Sequence, residues 1–231
     1  MNPQNNPERL KKWKNWWYYY KWYVVCGVLV LGVICRLIGN ALGFWNKKPD
    51  FQIAYVGKTI LTEETISTLE QAFTSIGNDL NGDGEVLVQI NQYISGIPNA
   101  DAETAYYEYA GEISLIGDIS GCESYFFLTD DPDKLQREYQ ILANPDGNCP
   151  EEMDYTTDGK VIAWPDCPLL YESADNSSAP AQEQSENSRE TLSHLYLGRR
   201  CFYNDKQTEH FEQCNALWNL IRSSAQSNHE P

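Results

Sequence analysis

The feature that most constrains this chain is the run from Tyr23 to Trp45, YVVCGVLVLGVICRLIGNALGFW, in which Arg36 is the single charge. A helix needs about 20 apolar residues to cross the hydrocarbon core of a bilayer, and few soluble folds can hide a run this long and this apolar. The segment before it, KKWKNWWYYYKWY, interleaves Trp13, Trp16, Trp17, Tyr18, Tyr19, Tyr20 and Trp22 with lysines, as an interfacial aromatic belt does. Arg36 stands near the far end, where its stem can snorkel to the headgroups. Arg9, Lys11, Lys12, Lys14 and Lys21 precede the span, and only Lys47 and Lys48 follow closely. The positive-inside rule then places the N-terminus in the cytoplasm. The expected order is a basic and aromatic cytoplasmic stub over 1–22, a transmembrane signal anchor over 23–45 in the cell membrane, and an extracytoplasmic α/β domain over 49–231. A cleaved signal peptide and a buried core helix are the alternatives. The first lacks a convincing A-x-A site, and the aromatic, basic flank suits an interface better than a core.

Charge divides along the same boundary. Residues 1–48 carry eight Lys or Arg against one acid, a balance of +7, whereas the remainder carries nine against 32, a balance of −23. Such an acidic body repels polyanions, which argues against nucleic acid as a partner and favours cations or cationic surfaces. Of seven cysteines, Cys26 and Cys35 fall in the apolar run, and Cys122, Cys149, Cys167, Cys201 and Cys214 in the body. Five is odd, so no complete disulfide framework closes within the body. Cys149 and Cys167 flank an expected hairpin and can bridge, and Cys201 and Cys214 can also meet; buried or free thiols are the alternative.

Beyond Pro49 the hydrophobic period changes. Phe51, Ile53 and Tyr55 alternate with Gln52 and Ala54, which predicts a strand. Thr62, followed by Glu63 and Glu64, offers an N-cap and a dipole match for a helix whose apolar face is Ile66, Leu69, Phe73 and Ile76. A second strand follows over Glu85 to Ile94, so the first forty residues of the body predict a βαβ unit of a parallel sheet. A helix is expected from Asp101 to Ile116, with Ala105, Tyr109, Ile113 and Ile116 inward, then a central strand at Tyr125 to Leu128 covered on both faces. Asp130-Asp131-Pro132 opens a further helix. Loops and one hairpin turning at Asp158-Gly159 fill Asn144 to Leu170, and residues 172–191, almost without apolar side chains, predict a disordered loop. A last strand at His194 to Gly198, expected to rejoin the first sheet, and a helix from Phe211 to Ile221 close the body.

The order of anchor, KPDFQIAYVGK, acid-capped helix, DLNGDGEVLVQINQY, helix, ESYFFLTDDP and a late LYLGRRCFY before a Trp-containing helix resembles a group of single-pass membrane proteins of Gram-positive bacteria. Their outer domain is similar to a lobe of type 2 periplasmic solute-binding proteins. The resemblance covers most of the chain outside residues 144–191. It implies an α/β fold with a mostly parallel sheet, extracytoplasmic placement and solute binding by analogy, and it carries no catalytic residue.

The stretch DLNGDGEVLVQI begins as an EF-hand loop does. Asp79, Asn81 and Asp83 fill loop positions 1, 3 and 5, Gly84 fills 6, and Glu85 fills 7, whose ligand is its backbone carbonyl. Position 12, where a bidentate Glu belongs, is Ile90. Two readings stand: a calcium site completed by a distant carboxylate, for example from the Asp130, Asp131 and Asp133 cluster, or a tight helix-to-strand turn that uses Asn, Asp and Gly for their tolerance of positive φ. His194, His210 and His229 lack zinc-site spacing. No nucleophile elbow, P-loop or dinucleotide fingerprint occurs. Arg199-Arg200, rare cations in an acidic body, either pair with neighbouring acids or grip an anionic ligand. Tyr106, Tyr107 and Tyr109 line either a groove or, for Tyr109, the core.

These features predict a non-enzymatic, membrane-anchored outer domain that binds a solute or protein partner, with calcium as a stabilising ion. The alternatives are an extracytoplasmic hydrolase working through a carboxylate pair such as Glu151-Glu152 or Asp130-Asp131, and a structural subunit of an envelope complex.

Overall fold

The structure is a computed structural model that describes residues 7–41, 47–97, 101–175 and 186–227. The chain divides into two compact units, Met1–Lys47 and Lys48–Pro231.

Among its described residues the first unit holds one helix, α1 (Pro7–Ala41), about 50 Å long at 1.5 Å per residue. Pro7 at its first position costs no hydrogen bond, because first-turn N–H groups have no partner in the helix. Within it, Trp13–Ile38 is long and apolar enough to cross a membrane. The aromatic stub is therefore continuous with the apolar run, and Trp16 stacks on Tyr20 one turn on, at 5.6 Å between ring centroids.

The second unit is built on a five-stranded mixed sheet, in the order β2-β1-β3-β5-β4. β1 (Phe51–Gly57) pairs in parallel with β2 (Val88–Ile94) on one side and β3 (Phe126–Thr129) on the other. β5 (Tyr196–Arg199) runs antiparallel to both β3 and β4 (Val161–Ala163), so four of the five strands point one way. The expected return of the last strand to the first sheet is thus met at β3, which lies at the centre and is buried along its whole length.

Helices cover both faces. Phe51, Ile53, Tyr55, Phe126 and Leu197 face α2 (Glu63–Ile76), α5 (Pro168–Asp175) and α7 (Phe211–Ser227), where they meet Leu69, Phe73, Leu170, Trp218 and Ile221. Ala54, Val56 and Phe127 face α3 (Ala102–Gly121) and α4 (Pro132–Tyr139) through Leu115 and Leu135. The caps are those the sequence indicates. Thr62 Oγ1 accepts the Thr65 N–H at 3.2 Å, and Asp131 Oδ1 accepts the Lys134 N–H at 3.0 Å.

Three expectations are corrected. On α3, Ala105, Tyr109, Ile113 and Ile116 are exposed rather than inward, and Leu115 and Asp118 are the buried positions. The helix packs through a partly polar face: Gly111 lets the Ile94 backbone approach to where a Cβ would meet its carbonyl at 2.9 Å, and the Glu108 carboxylate accepts the Gly96 N–H. No hairpin forms at Asp158-Gly159. That turn leads into β4, whose partner is the distant β5. Finally, α5 and α6 (Glu186–Ser193) occupy both ends of the stretch 172–191 expected to be disordered, and residues 176–185 lie outside the described residues. A few anchors order those ends: Leu192 is buried, and the Thr65 hydroxyl donates to Ser188 Oγ at 3.1 Å.

Candidate functional site

In open α/β sheets ligands bind outside the carboxyl ends of the strands, where the strand order reverses. Here that place lies between β1 and β3, and the chain's own groups fill it. The Lys58 N–H donates to Asp130 Oδ2 and Lys58 Nζ to Asp131 Oδ2, both at 3.1 Å, while Lys134 Nζ donates to Ser95 Oγ at 2.8 Å. The remaining cavity of about 10 Å³ is the size of one water molecule. Asp130 and Asp131 are thus held by Lys58 and by the cap of α4; Glu151 and Glu152 are exposed.

A cavity of about 370 Å³ opens at the other end of the sheet. β3 begins there and β5 ends there, so Tyr125 and Arg199 are brought side by side, and α7 adds Phe211 and Asn215. The loop Pro145 to Cys149 forms the outer wall. Arg199 is 5% exposed, and its Nη1 donates to Asn215 Oδ1 at 2.7 Å, its Nη2 to Pro145 O at 3.1 Å and to Asn144 O at 3.3 Å. The Tyr125 hydroxyl donates to the same Asn215 Oδ1 at 3.1 Å. Burial pushes the Tyr125 phenol up to about 12, against the pull of the Arg199 charge, so it stays a neutral donor. Among the described residues all of Arg199's hydrogen-bond acceptors are neutral and its buried Nε has no hydrogen-bond partner; the exposed Asp146 carboxylate, also on the cavity wall, acts on it only through space.

Arg200 behaves differently. Its side chain is sealed behind β3, donating to Ser124 O at 3.0 Å and Ile119 O at 2.7 Å, with Asp118 Oδ1 at 3.9 Å. Burial lowers its pKa. The expectation that the Arg199-Arg200 pair is matched by neighbouring acids therefore holds through the buried Asp118 for Arg200, whereas Arg199 feels only the exposed Asp146 on the cavity wall, through space and without a hydrogen bond.

The DLNGDG loop joins α2 to β2. Asp79 accepts the Gly82 N–H at 2.6 Å through Oδ1 and the Gly84 N–H at 2.8 Å through Oδ2, and these bonds, the one from Gly84 foremost, lower its pKa. Asn81 Oδ1 accepts from Asp83 N–H at 2.9 Å, and Asp83 Oδ1 from Glu85 N–H at 3.0 Å. Gly82 and Gly84 take φ of +77° and +89°, which only glycine adopts without strain. The loop is closed by a residue the sequence reading passed over. Asp50, 4% exposed, accepts the Leu80 N–H at 2.7 Å, the Asn81 N–H at 3.0 Å and the Leu87 N–H at 2.7 Å. Its signal was a lone acid directly before a strand. Asp130 and Asp131 do not approach this loop: Asp50 stands at the start of β1 and Lys58, their partner, just beyond its end, a seven-residue strand or roughly 20 Å away. Among the described residues no three His, Cys, Asp or Glu side chains gather as a metal cluster.

Tyr106, Tyr107 and Tyr109 are exposed on α3 and do not line the cavity. His194 and His210 stand apart from it, and His229 lies outside the described residues. Comparison with family models, curated proteins and solved structures gives no match to this chain, so the chemistry is argued from its own residues.

Proposed function

We propose that this is a single-pass membrane protein of the cell envelope whose extracytoplasmic body binds, without catalysis, a small anionic solute in the Arg199 cavity. One observation carries the reading: a buried guanidinium whose described hydrogen-bond partners are all neutral lines a cavity of about 370 Å³. A buried charge is stable when an opposite charge meets it, and a carboxylate or phosphate oxygen matches both the guanidinium and the surrounding amide and phenol donors. The cavity lies at the small end of ligand-site volumes. The α/β body is consistent with one lobe of a solute-binding protein, and the 26-residue apolar stretch of α1 is consistent with an uncleaved anchor.

The test is a thermal-shift panel on the full-length chain in detergent, with acetate, succinate, glutamate and phosphate each in excess. At least one anion raises the melting temperature, and Arg199→Met loses that response while the substitution Arg137→Met, at an exposed position of α4 away from the cavity, keeps it. If none of the four moves the wild type, the anion reading is wrong.

Calcium belongs to the same reading as a stabilising ion at Asp79, Asn81, Asp83 and the Glu85 carbonyl. The support is a loop already folded around its glycines, with acids exposed to solvent in an acidic body. Extracellular calcium modules bind with Kd of about 0.1 to 1 mM. Calcium some thirty-fold above Kd then adds about 2 kcal/mol, or roughly 6 °C for a domain of this size. Asp83→Ala removes that rise; a wild type that melts identically in calcium and in chelator takes calcium out of the account.

A further inference from the structure

The outer wall of the Arg199 cavity is held to the sheet at two places. The first is the bridge of Leu142 to Arg200, with the Ala143 N–H donating to Arg199 O at 2.9 Å and the Cys201 N–H to Ile141 O at 2.8 Å. The second is the loop itself. The Asn144 N–H donates to Asn148 O at 2.9 Å, and Asn144 Nδ2 donates to Cys149 O at 3.3 Å, which folds residues 144–149 back on themselves. The fold-back returns Cys149 to the strand end, close enough to Cys201 for the two thiols to influence each other. Cys201 is itself fixed, with Sγ donating to Gln140 O at 3.5 Å and the Tyr203 ring beside it.

We infer that Cys149 and Cys201 form a disulfide that locks the loop 144–149 over the cavity. The pairing differs from both that chain order suggests. Cys167 is buried with its thiol donating to Ala163 O at 3.6 Å, and Cys214 is on the buried face of α7, in the core. It also resolves the odd count of five, leaving Cys122, Cys167 and Cys214 as thiols. Cys149 is the accessible member of the pair and Cys201 the buried one, which fixes the order of steps. The Cys149 thiolate attacks a disulfide of a small or protein oxidant, R–S–S–R, forming a mixed disulfide and expelling one RS⁻. The Cys201 sulfur then gives up its proton, attacks Cys149 Sγ and expels the second RS⁻. In sum two thiols lose two protons and two electrons, and the oxidant gains both as two RSH. Burial raises the Cys201 thiol to about 12, so it remains protonated until the mixed disulfide stands next to it. The inference is independent of the anion reading, because the link is read by mass and the ligand by melting.

The experiment treats the purified full-length chain with oxidised glutathione, blocks remaining thiols and digests it without reductant. The expected product is a single cross-linked peptide pair containing Cys149 and Cys201 that separates on adding dithiothreitol. Reduction of the linked wild type lowers its melting temperature by roughly 10 °C, the scale expected for opening a loop of this length. Cys149→Ser and Cys201→Ser each abolish the link. Recovery of both thiols in blocked form after oxidation, a link from Cys149 to Cys167, or a covalent dimer through Cys149 would overturn the proposal.

Discussion

Asp118→Ala lowers the stability of the body by about 4 kcal/mol, the largest effect expected of any single substitution here. Asp118 is buried at the C-terminal end of α3, where Oδ1 accepts the Ser124 N–H at 2.9 Å, and Oδ2 accepts the Tyr93 hydroxyl at 2.8 Å and the Ser124 hydroxyl at 2.5 Å. It is also the carboxylate facing Arg200, whose side chain is 2% exposed. Removing it leaves a buried guanidinium without a counter-charge and strands three donors. Its proximity and that of Arg199's charge make the Tyr93 and Tyr125 phenols different: burial first and Asp118 second raise the Tyr93 pKa, so that hydroxyl remains a donor at any ordinary pH. Thermal unfolding of the full chain reads the loss as a melting temperature roughly 12 °C lower. A double-mutant cycle with Arg200→Met separates the charge pair from the hydrogen bonds. If Asp118→Ala cost less than about 1 kcal/mol, the network would be incidental to the fold.

Asp50→Ala costs about 3 kcal/mol, through the loss of three N–H bonds to one buried carboxylate. Asp50 holds the loop after α2 at its entry, Leu80 and Asn81, and at its exit, Leu87, so it sets the register of β2 against β1. Asp50→Asn is the sharper probe. An amide oxygen can accept from Leu80 and Asn81, but its NH₂ then faces the Leu87 N–H, donor against donor, and most of the loss remains. Because Asp79 is exposed and Asp50 is not, Asp79→Ala costs less than Asp50→Ala in the absence of calcium. The reverse ranking in thermal melts would mean that Asp79, rather than Asp50, closes the loop.

Much of the body was legible because its signals are local. The alternation in FQIAYVG gave β1 its bounds, and Thr62 with Glu63 and Glu64 placed the start of α2. Asp131-Pro132 did the same for α4. On α3 the same reasoning chose the wrong face. Period counting assumes that the apolar stripe is the packed one, yet α3 meets the sheet through Gly111, Leu115 and Asp118, with Glu108 bonded to the Gly96 backbone. A polar face can pack when each of its groups finds a partner, and those partners lie on or just after β2, just before β3 and just after β5, not in the helix.

The candidate site was legible only in part. Arg199 stood out as a rare cation, and the DLNGDG loop as a turn, but their partners Tyr125, Asn215 and Asp50 did not. Nor did the sequence distinguish Arg199 from Arg200. Consecutive residues on a strand point to opposite faces, and the two faces here hold different chemistry: Asn215 and Pro145 for one, Asp118 and Ser124 for the other.

Written in the chain alone are the apolar run long enough to span a bilayer, the basic stub against the acidic body, and the starts of α2, α3, α4 and α7. Each depends on composition or on groups within about one helical turn. It took the assembled fold to place β5 between β3 and β4, and to put Arg199 at a cavity while Arg200 is sealed against Asp118. Those partners are far apart along the chain, 76 residues in the case of Arg200 and Ser124. The entropy of closing a loop rises only as the logarithm of its length, so chain separation barely favours one distant partner over another. The choice falls to burial and hydrogen bonding in the assembled sheet.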